Sequence, residues 1–254
     1  MPSTPRRAGS ARAADTVAAP RLLVAWQDPQ THLILPVGIL EQSPHGFSFS
    51  YLRRARDIAG FRPLFGFDRL EDRYESPGLF PLFRQRLMDS RRTDYLRYLT
   101  ALGLSENASP LAVLGRSEGR RAGDSIFLMA EPEVDDKGRT HADFFVHGIR
   151  YKADAESQIA TLRVGEPLRL RDDPDNPVNS RALLVTHRGD ELGWVPNLLL
   201  NYVHIVRDTD DVAIFVAQVN GNDVPPNLRL RVELTGTVPV GYRPFHGEEW
   251  ATIA

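Results

Sequence analysis

The stretch GEPLRLRDDPDNPVNSRALLVTHRGDELGWVP, residues 165–196, decides how the chain folds. It holds three short runs, PLRLR (167–171), RALLVTH (181–187) and ELGWVP (191–196), each of which reads as a β-strand. The Asp-Pro and Asn-Pro steps of RDDPDNP are turn chemistry between the first two. Arg188-Gly189-Asp190 joins the last two as a tight hairpin turn.

The pattern continues outward in both directions. Upstream, DFFVHGIRY (143–151) reads as a strand. Downstream, LLLNYVHIV (198–206) reads as a short helix with Leu199, Tyr202 and Ile205 or Val206 facing in. VAIFVAQV (212–219) and LRLRVELTG (228–236) are longer strands. In the latter, Leu228, Leu230, Val232 and Leu234 face one side and Arg229, Arg231 and Glu233 the other. Many short strands with one or two helices make a compact barrel.

The first half has a different texture. LLVAWQ (22–27) and LILPVGILEQ (33–42) read as a hairpin turning at Asp28-Pro29. GFSFSY (46–51) alternates Phe47, Phe49 and Tyr51 with Ser48 and Ser50, the period of a half-buried strand. Ser76 is read as the cap of a short helix containing Leu79, Phe80, Leu82, Phe83 and Leu87. A second helix is expected over 90–102, stopped by Gly103, and a short one at PLAVLG. IFLMAEPEV (126–134) reads as one strand, and DDKGR (135–139) as the linker between two domains. Residues 1–20 read as a disordered tail, too poor in apolar residues to offset chain entropy; an arginine-rich transit peptide is the other reading.

Composition excludes several classes. The 254 residues are 42% hydrophobic and 25% charged, the balance of an ordinary globular protein. A net charge of -2 gives no overall pull toward polyanions, although a local basic groove needs none. Lysine occurs only at Lys137 and Lys152, so the positive charge is almost all guanidinium, through genomic base composition or through a use in forked phosphate contacts. With no cysteine there is no disulfide, thiolate nucleophile or cysteine-ligated zinc, and the histidines form no metal-binding pair. No run approaches the length of a membrane span, and a cytoplasmic location is expected.

Catalytic motifs are thin. No glycine-rich nucleotide loop of the GxxxxGK[ST] kind occurs. GRSEGRRAGD (115–124) is read as a phosphate contact or, without a Lys-Ser/Thr pair opening a helix, as a solvated loop. Asp172, Asp173 and Asp175 lack the glycine and glutamate of a calcium loop, because Pro177 and Leu183 stand there. Among the arginines Arg53, Arg54, Arg56, Arg84, Arg86, Arg91, Arg92 and Arg97, the aromatic neighbours of Arg84, Arg91 and Arg92 would suit nucleic acid, but the interleaved acids favour a salt-bridged solvated face.

Four short elements in order carry a resemblance: Gly148-Arg150-Tyr151, Gly165-Leu168-Leu170, Asn176-Pro177-Asn179-Ala182 and Gly193-Trp194-Val195-Pro196. Together, from Phe144 to Leu234, they resemble the HIRAN domain. The resemblance implies a modified OB-like barrel, found fused to DNA-remodelling helicases and standing alone in bacteria, that grips the 3′ end of single-stranded DNA. On it, Tyr151 stacks on a base, Arg150 meets phosphate, and Asn176 and Asn179 lie in the turn that meets the terminal nucleotide. Arg171 is a further DNA-contact candidate. Stacking on an aromatic face is worth about 1–3 kcal/mol per base whatever the sequence. The chain departs from the family at Val178 and Asn179, which removes a stacking ring and a carboxylate acceptor for the 3′-hydroxyl.

In the first half, Gly38, Phe49, Tyr51, Pro81, Phe83, Arg86, Leu102-Gly103 and Gly123-Asp124 resemble the N-terminal subdomain of HipA-type toxin kinases. No kinase core follows, so the role implied is interaction or scaffolding.

The expectation is an α+β chain: a β-meander with helices over 21–134, then an OB-like or SH3-like barrel with one or two short helices over 140–254. It is expected to be a non-catalytic adaptor for single-stranded or terminal DNA, involved in DNA repair, with no cofactor or metal and a possible protein partner on its first half. The alternative is a protein-interaction or scaffold module that binds no DNA. A hydrolase or nuclease would have to draw on His147 with Asp172 and Asp173.

Overall fold

The computed structural model describes residues 21–121 and 123–254, so the tail read at 1–20 lies outside the described residues. β1 (Arg21–Gln27) and β2 (Ile34–Ser43) form the expected hairpin. Asp28 holds its turn by accepting from the Gln30 N–H at 2.9 Å and the Thr31 hydroxyl at 2.6 Å. β3 (Gly46–Tyr51) extends the meander and β4 (Tyr74–Ser76) pairs with it. Ser76 therefore ends a strand and does not cap a helix. The helix that follows, α1 (Pro81–Arg84), is a single turn opened by Pro81, whose fixed φ and missing N–H suit that position.

α2 (Tyr95–Leu102) begins five residues later than position 90, because Asp89 and Asp94 bind the Arg91 and Arg92 side chains in a turn. It stops at Gly103 in the left-handed region, as expected. In α3 (Pro110–Arg116) the Ser109 hydroxyl caps the first turn, accepting from the Ala112 N–H at 3.2 Å. β5 (Ile126–Ala130) completes an antiparallel sheet of order β4-β3-β2-β1-β5.

The run 126–134 is two strands in different sheets. After β5 the chain crosses at Glu131-Pro132, where proline cannot donate to a ladder, and β6 (Glu133–Val134) joins the second sheet. Residues 135–138 are the hairpin turn from β6 to β7 (Arg139–Phe145). β7 stops short of the 151 expected: Gly148 takes φ +70 and Ile149–Tyr151 forms a 3₁₀ turn. α4 (Ala155–Ile159) follows, a helix with no counterpart in the sequence reading. Then come β8 (Pro167–Asp173), β9 (Ala182–His187), β10 (Asp190–Trp194), α5 (Leu200–Arg207), β11 (Ala213–Val219) and β12 (Leu230–Thr237).

The second sheet has the order β10-β9-β8-β11-β12-β7-β6, antiparallel throughout. Its ladders leave β10 and β6 as edges, so strand pairing does not close the expected barrel. β8 meets β11 only at Pro167 and Leu168 and then pairs with β9 from Arg169 to Asp173. A single bridge, His147 to Trp194, ties β10 back to the chain beyond β7.

β1 is buried on both faces. Leu22 and Val24 pack into an aromatic core with Phe49, Tyr51, Phe67 and Phe83. Leu23 and Ala25 face the other way, into a core shared with Val185, Leu192 and Leu230 of the second sheet, Val146 just beyond β7 and Val203 of α5. This explains the unbroken apolar run at its start. The C-terminal segment also crosses between sheets: Ile253 donates its N–H to the Tyr51 carbonyl and Arg53 donates to Ala251, both at 2.9 Å.

Candidate nucleic-acid interface

Opposed residues on neighbouring strands share a face, so register alone defines the outer surface of β8, β9 and β10. One row is Arg171, Leu184 and Trp194; the next is Arg169, Thr186 and Glu191, with Leu184 and Thr186 themselves buried between their neighbours. Leu168, Leu183, Val185 and Leu192 point to the core on the opposite face.

Trp194 organises this surface. Gly148 lies against its ring so closely that a Cβ there would be 2.5 Å from it. The Lys152 ammonium sits 3.9 Å from the ring centroid, a cation–π contact. The indole N–H donates to Asp173 Oδ2 at 2.7 Å, and the Asn176 amide donates to the same oxygen at 3.0 Å. The turn carrying Tyr151 and the turn carrying Asn176 are thus joined through one indole. Those two bonds, Asn176 first and Trp194 second, hold the Asp173 carboxyl below the usual carboxylate range.

Tyr151 stands at the rim with 67% of its surface exposed. The Arg150 guanidinium lies 4.6 Å from its ring centroid and also bonds the phenol oxygen. Arg171 is on the outer face, paired with Glu191, which accepts from Lys152 at 2.6 Å as well. The Lys152 bond is the main cause of the lowered Glu191 pKa. Asn176 is turned inward: its carbonyl oxygen accepts the N–H groups of Val178 and Asn179 at 3.0 and 3.2 Å. Asn179 accepts from the Arg181 N–H at 2.9 Å, and Val178 is left exposed. The asparagines build the turn, and Tyr151, Arg150 and Arg171 present themselves outward.

The residues that a hydrolytic site would need have other partners. His147 pairs with Glu118, Asp172 with Arg207 at 2.8 Å, and Asp173 with Trp194 and Asn176. No group of three metal-ligating side chains occurs among the described residues. In the glycine- and arginine-rich segment at 115–124, Glu118 is buried and Arg86 donates from below to Asp124 and the Gly119 carbonyl. Arg86 is therefore a buried anchor, unlike Arg56, Arg91, Arg92 and Arg97, whose acid partners keep them in the solvated face that was expected.

Sequence reasoning missed the central role of Trp194 and the part of Lys152. Trp194 was visible inside the Gly-Trp-Val-Pro element, and Lys152 directly follows Tyr151. Neither signal reveals that the two meet.

No family model matches the chain, and no curated protein matches it. Solved structures similar to it include a protein from Lactobacillus plantarum, 20% identical with a TM-score of 0.32, covering 40% of this chain and 100% of that one. Another is the HIRAN domain of human HLTF, 19% identical with a TM-score of 0.30, covering 40% of this chain and 76% of that one. Neither is named as a HipA-type kinase.

Proposed function

We propose that this chain binds single-stranded or terminal DNA on the outer face of β8–β10 and its rim, as an adaptor without chemistry of its own. The observation that carries the reading is Tyr151, a ring 67% exposed on a turn clamped by Gly148 and Trp194. A large exposed aromatic beside unneutralised or shared cations is what base stacking and phosphate contact require. The motif order resembling the HIRAN domain supports the same use of Arg150 and Tyr151. Binding through stacking predicts tolerance of base sequence and a marked salt dependence. Fluorescence anisotropy with a labelled oligonucleotide tests it: Tyr151→Ala weakens binding at least about tenfold, the equivalent of ~1.4 kcal/mol. Equal affinity in a variant with an unchanged melting curve rejects the reading. A panel of 3′-end, 5′-end, blocked-3′ and duplex oligonucleotides then reads end preference, which the loss of an aromatic at Val178 and a carboxylate at Asn179 is expected to weaken.

A protein-interaction role has one observation in its favour. Phe65 is 88% exposed between the buried Leu64 and Phe67, in the first half. That reading requires no oligonucleotide binding at low salt, together with a partner that Phe65→Ser releases.

A further inference from the structure

The outer face of β8–β10 continues past the Trp194 row to a groove of about 380 Å³ at the hairpin end of the sheet. Arg169, Thr186, His187, Arg188 and Glu166 line it. Arg169 belongs to the row next to Arg171, and the two side chains share a face one two-residue step apart, roughly 6.6 Å. Arg188 is the first residue of the hairpin turn, held at φ +52 so that it projects from the tip. Both are exposed, and neither has a carboxylate partner among the described residues. This sets them apart from Arg171 and Arg207, which are paired with Glu191 and Asp172. The one acid in the groove, Glu166, is engaged with the backbone, accepting from the Arg163 N–H at 3.0 Å.

We infer that this groove is a second subsite, one that takes backbone phosphate of the same strand whose base stacks on Tyr151. The inference rests on the DNA-binding reading above. Two free guanidiniums in a concave site suit a phosphodiester, because the guanidinium fork binds phosphate oxygens in pairs and is weakly hydrated. Spacing along the sheet sets the direction: the strand runs from the Tyr151 rim, across the Trp194 and Arg171 row, to Arg169 and the hairpin tip. Glu191, tied to Lys152 and Arg171, occupies the surface between, so phosphate contact is concentrated at the two ends.

The test uses the full chain and labelled oligothymidylates across roughly 4–16 nucleotides, the range of footprints for single-strand-binding modules. The variant is Arg169→Gln with Arg188→Asn, since asparagine tolerates positive φ and the hairpin is preserved. Wild-type affinity is expected to rise with length and then level off. In the double variant the longest strand loses about fivefold or more, the shortest is unaffected, and the salt slope falls by about 1.4, two single-strand phosphate contacts. An unchanged length dependence and salt slope, with Tyr151→Ala still impairing binding, overturns the groove and leaves the Tyr151 reading standing. A wild-type chain that binds none of the oligonucleotides overturns both.

Discussion

Gly148 shows how narrowly single residues determine the candidate interface. Its φ of +70 starts the turn that lifts Tyr151 off the sheet, and its missing Cβ lets the Trp194 ring close over the backbone. Gly148→Ala is therefore expected to lose more than about 1 kcal/mol in a urea melt and to weaken oligonucleotide binding, since both the left-handed backbone and the ring contact oppose a methyl group. Trp194→Phe probes the other side of the same contact. It keeps a ring against Gly148 but removes the N–H donor to Asp173. The Asp173 carboxyl, then held down by Asn176 alone among its two main bonds, is expected to move back up toward the ordinary range, which an NMR pH titration reads directly. The residue types at this site were legible in the sequence as motifs. Their convergence on one indole was not, because Gly148, Asp173 and Trp194 meet only when β8, β9 and β10 are in register.

Secondary-structure elements were legible in proportion to how local their causes are. The β1–β2 and β9–β10 hairpins, the strand β3 and the stop of α2 at Gly103 follow from turn residues and period, which neighbours in sequence supply. The split of 126–134 and the 3₁₀ turn at Ile149–Tyr151 depend on which sheet each segment can join, a non-local matter. The end of α2 makes the point energetically. Its last carbonyls are capped from β11 and the residue beyond it: Gln218 donates to Thr100 and Asn220 donates to Ala101, each at 2.8 Å. Asn220 also donates to the Leu228 carbonyl at 2.6 Å. Asn220→Ala leaves those carbonyls without this donor, and a loss of about 1–3 kcal/mol in denaturant unfolding is expected.

For the whole molecule, the shared core has consequences that two separate domains would not. Leu23, Ala25 and Met129 lie in one apolar cluster with residues of the second sheet, and Trp250 from the C-terminal segment belongs to the same cluster. Trp250 packs on Phe245 at 5.1 Å, so Trp250→Ala is expected to cost about 3–5 kcal/mol. Calorimetry should show one transition shifted downward as a unit; two transitions, only one of them shifted, would contradict a shared core. Glu118 links the parts electrostatically. Burial by itself would raise its carboxyl, but the charges of His147 and Arg120 outweigh that and hold it at about 2, against an ordinary 4.5. Its folded pKa is depressed, so the unfolded chain takes up the proton first as pH falls. The stabilisation is complete above about pH 4.5 and is lost as pH drops toward 2, and Glu118→Gln should flatten the stability profile across that window in acid titrations of the unfolding midpoint. From its own pattern the sequence determined the α+β class, the strands with strong turn signals and the helix stops, since those depend on backbone preference and period within a few residues. Tertiary structure alone decided that β1 is buried on both faces, that the ladders stay open at β6 and β10, and that Tyr151 stands free while Asn176 turns inward. Those outcomes depend on which distant surfaces exclude water from one another and which polar groups find partners there, and neither quantity is written in local order.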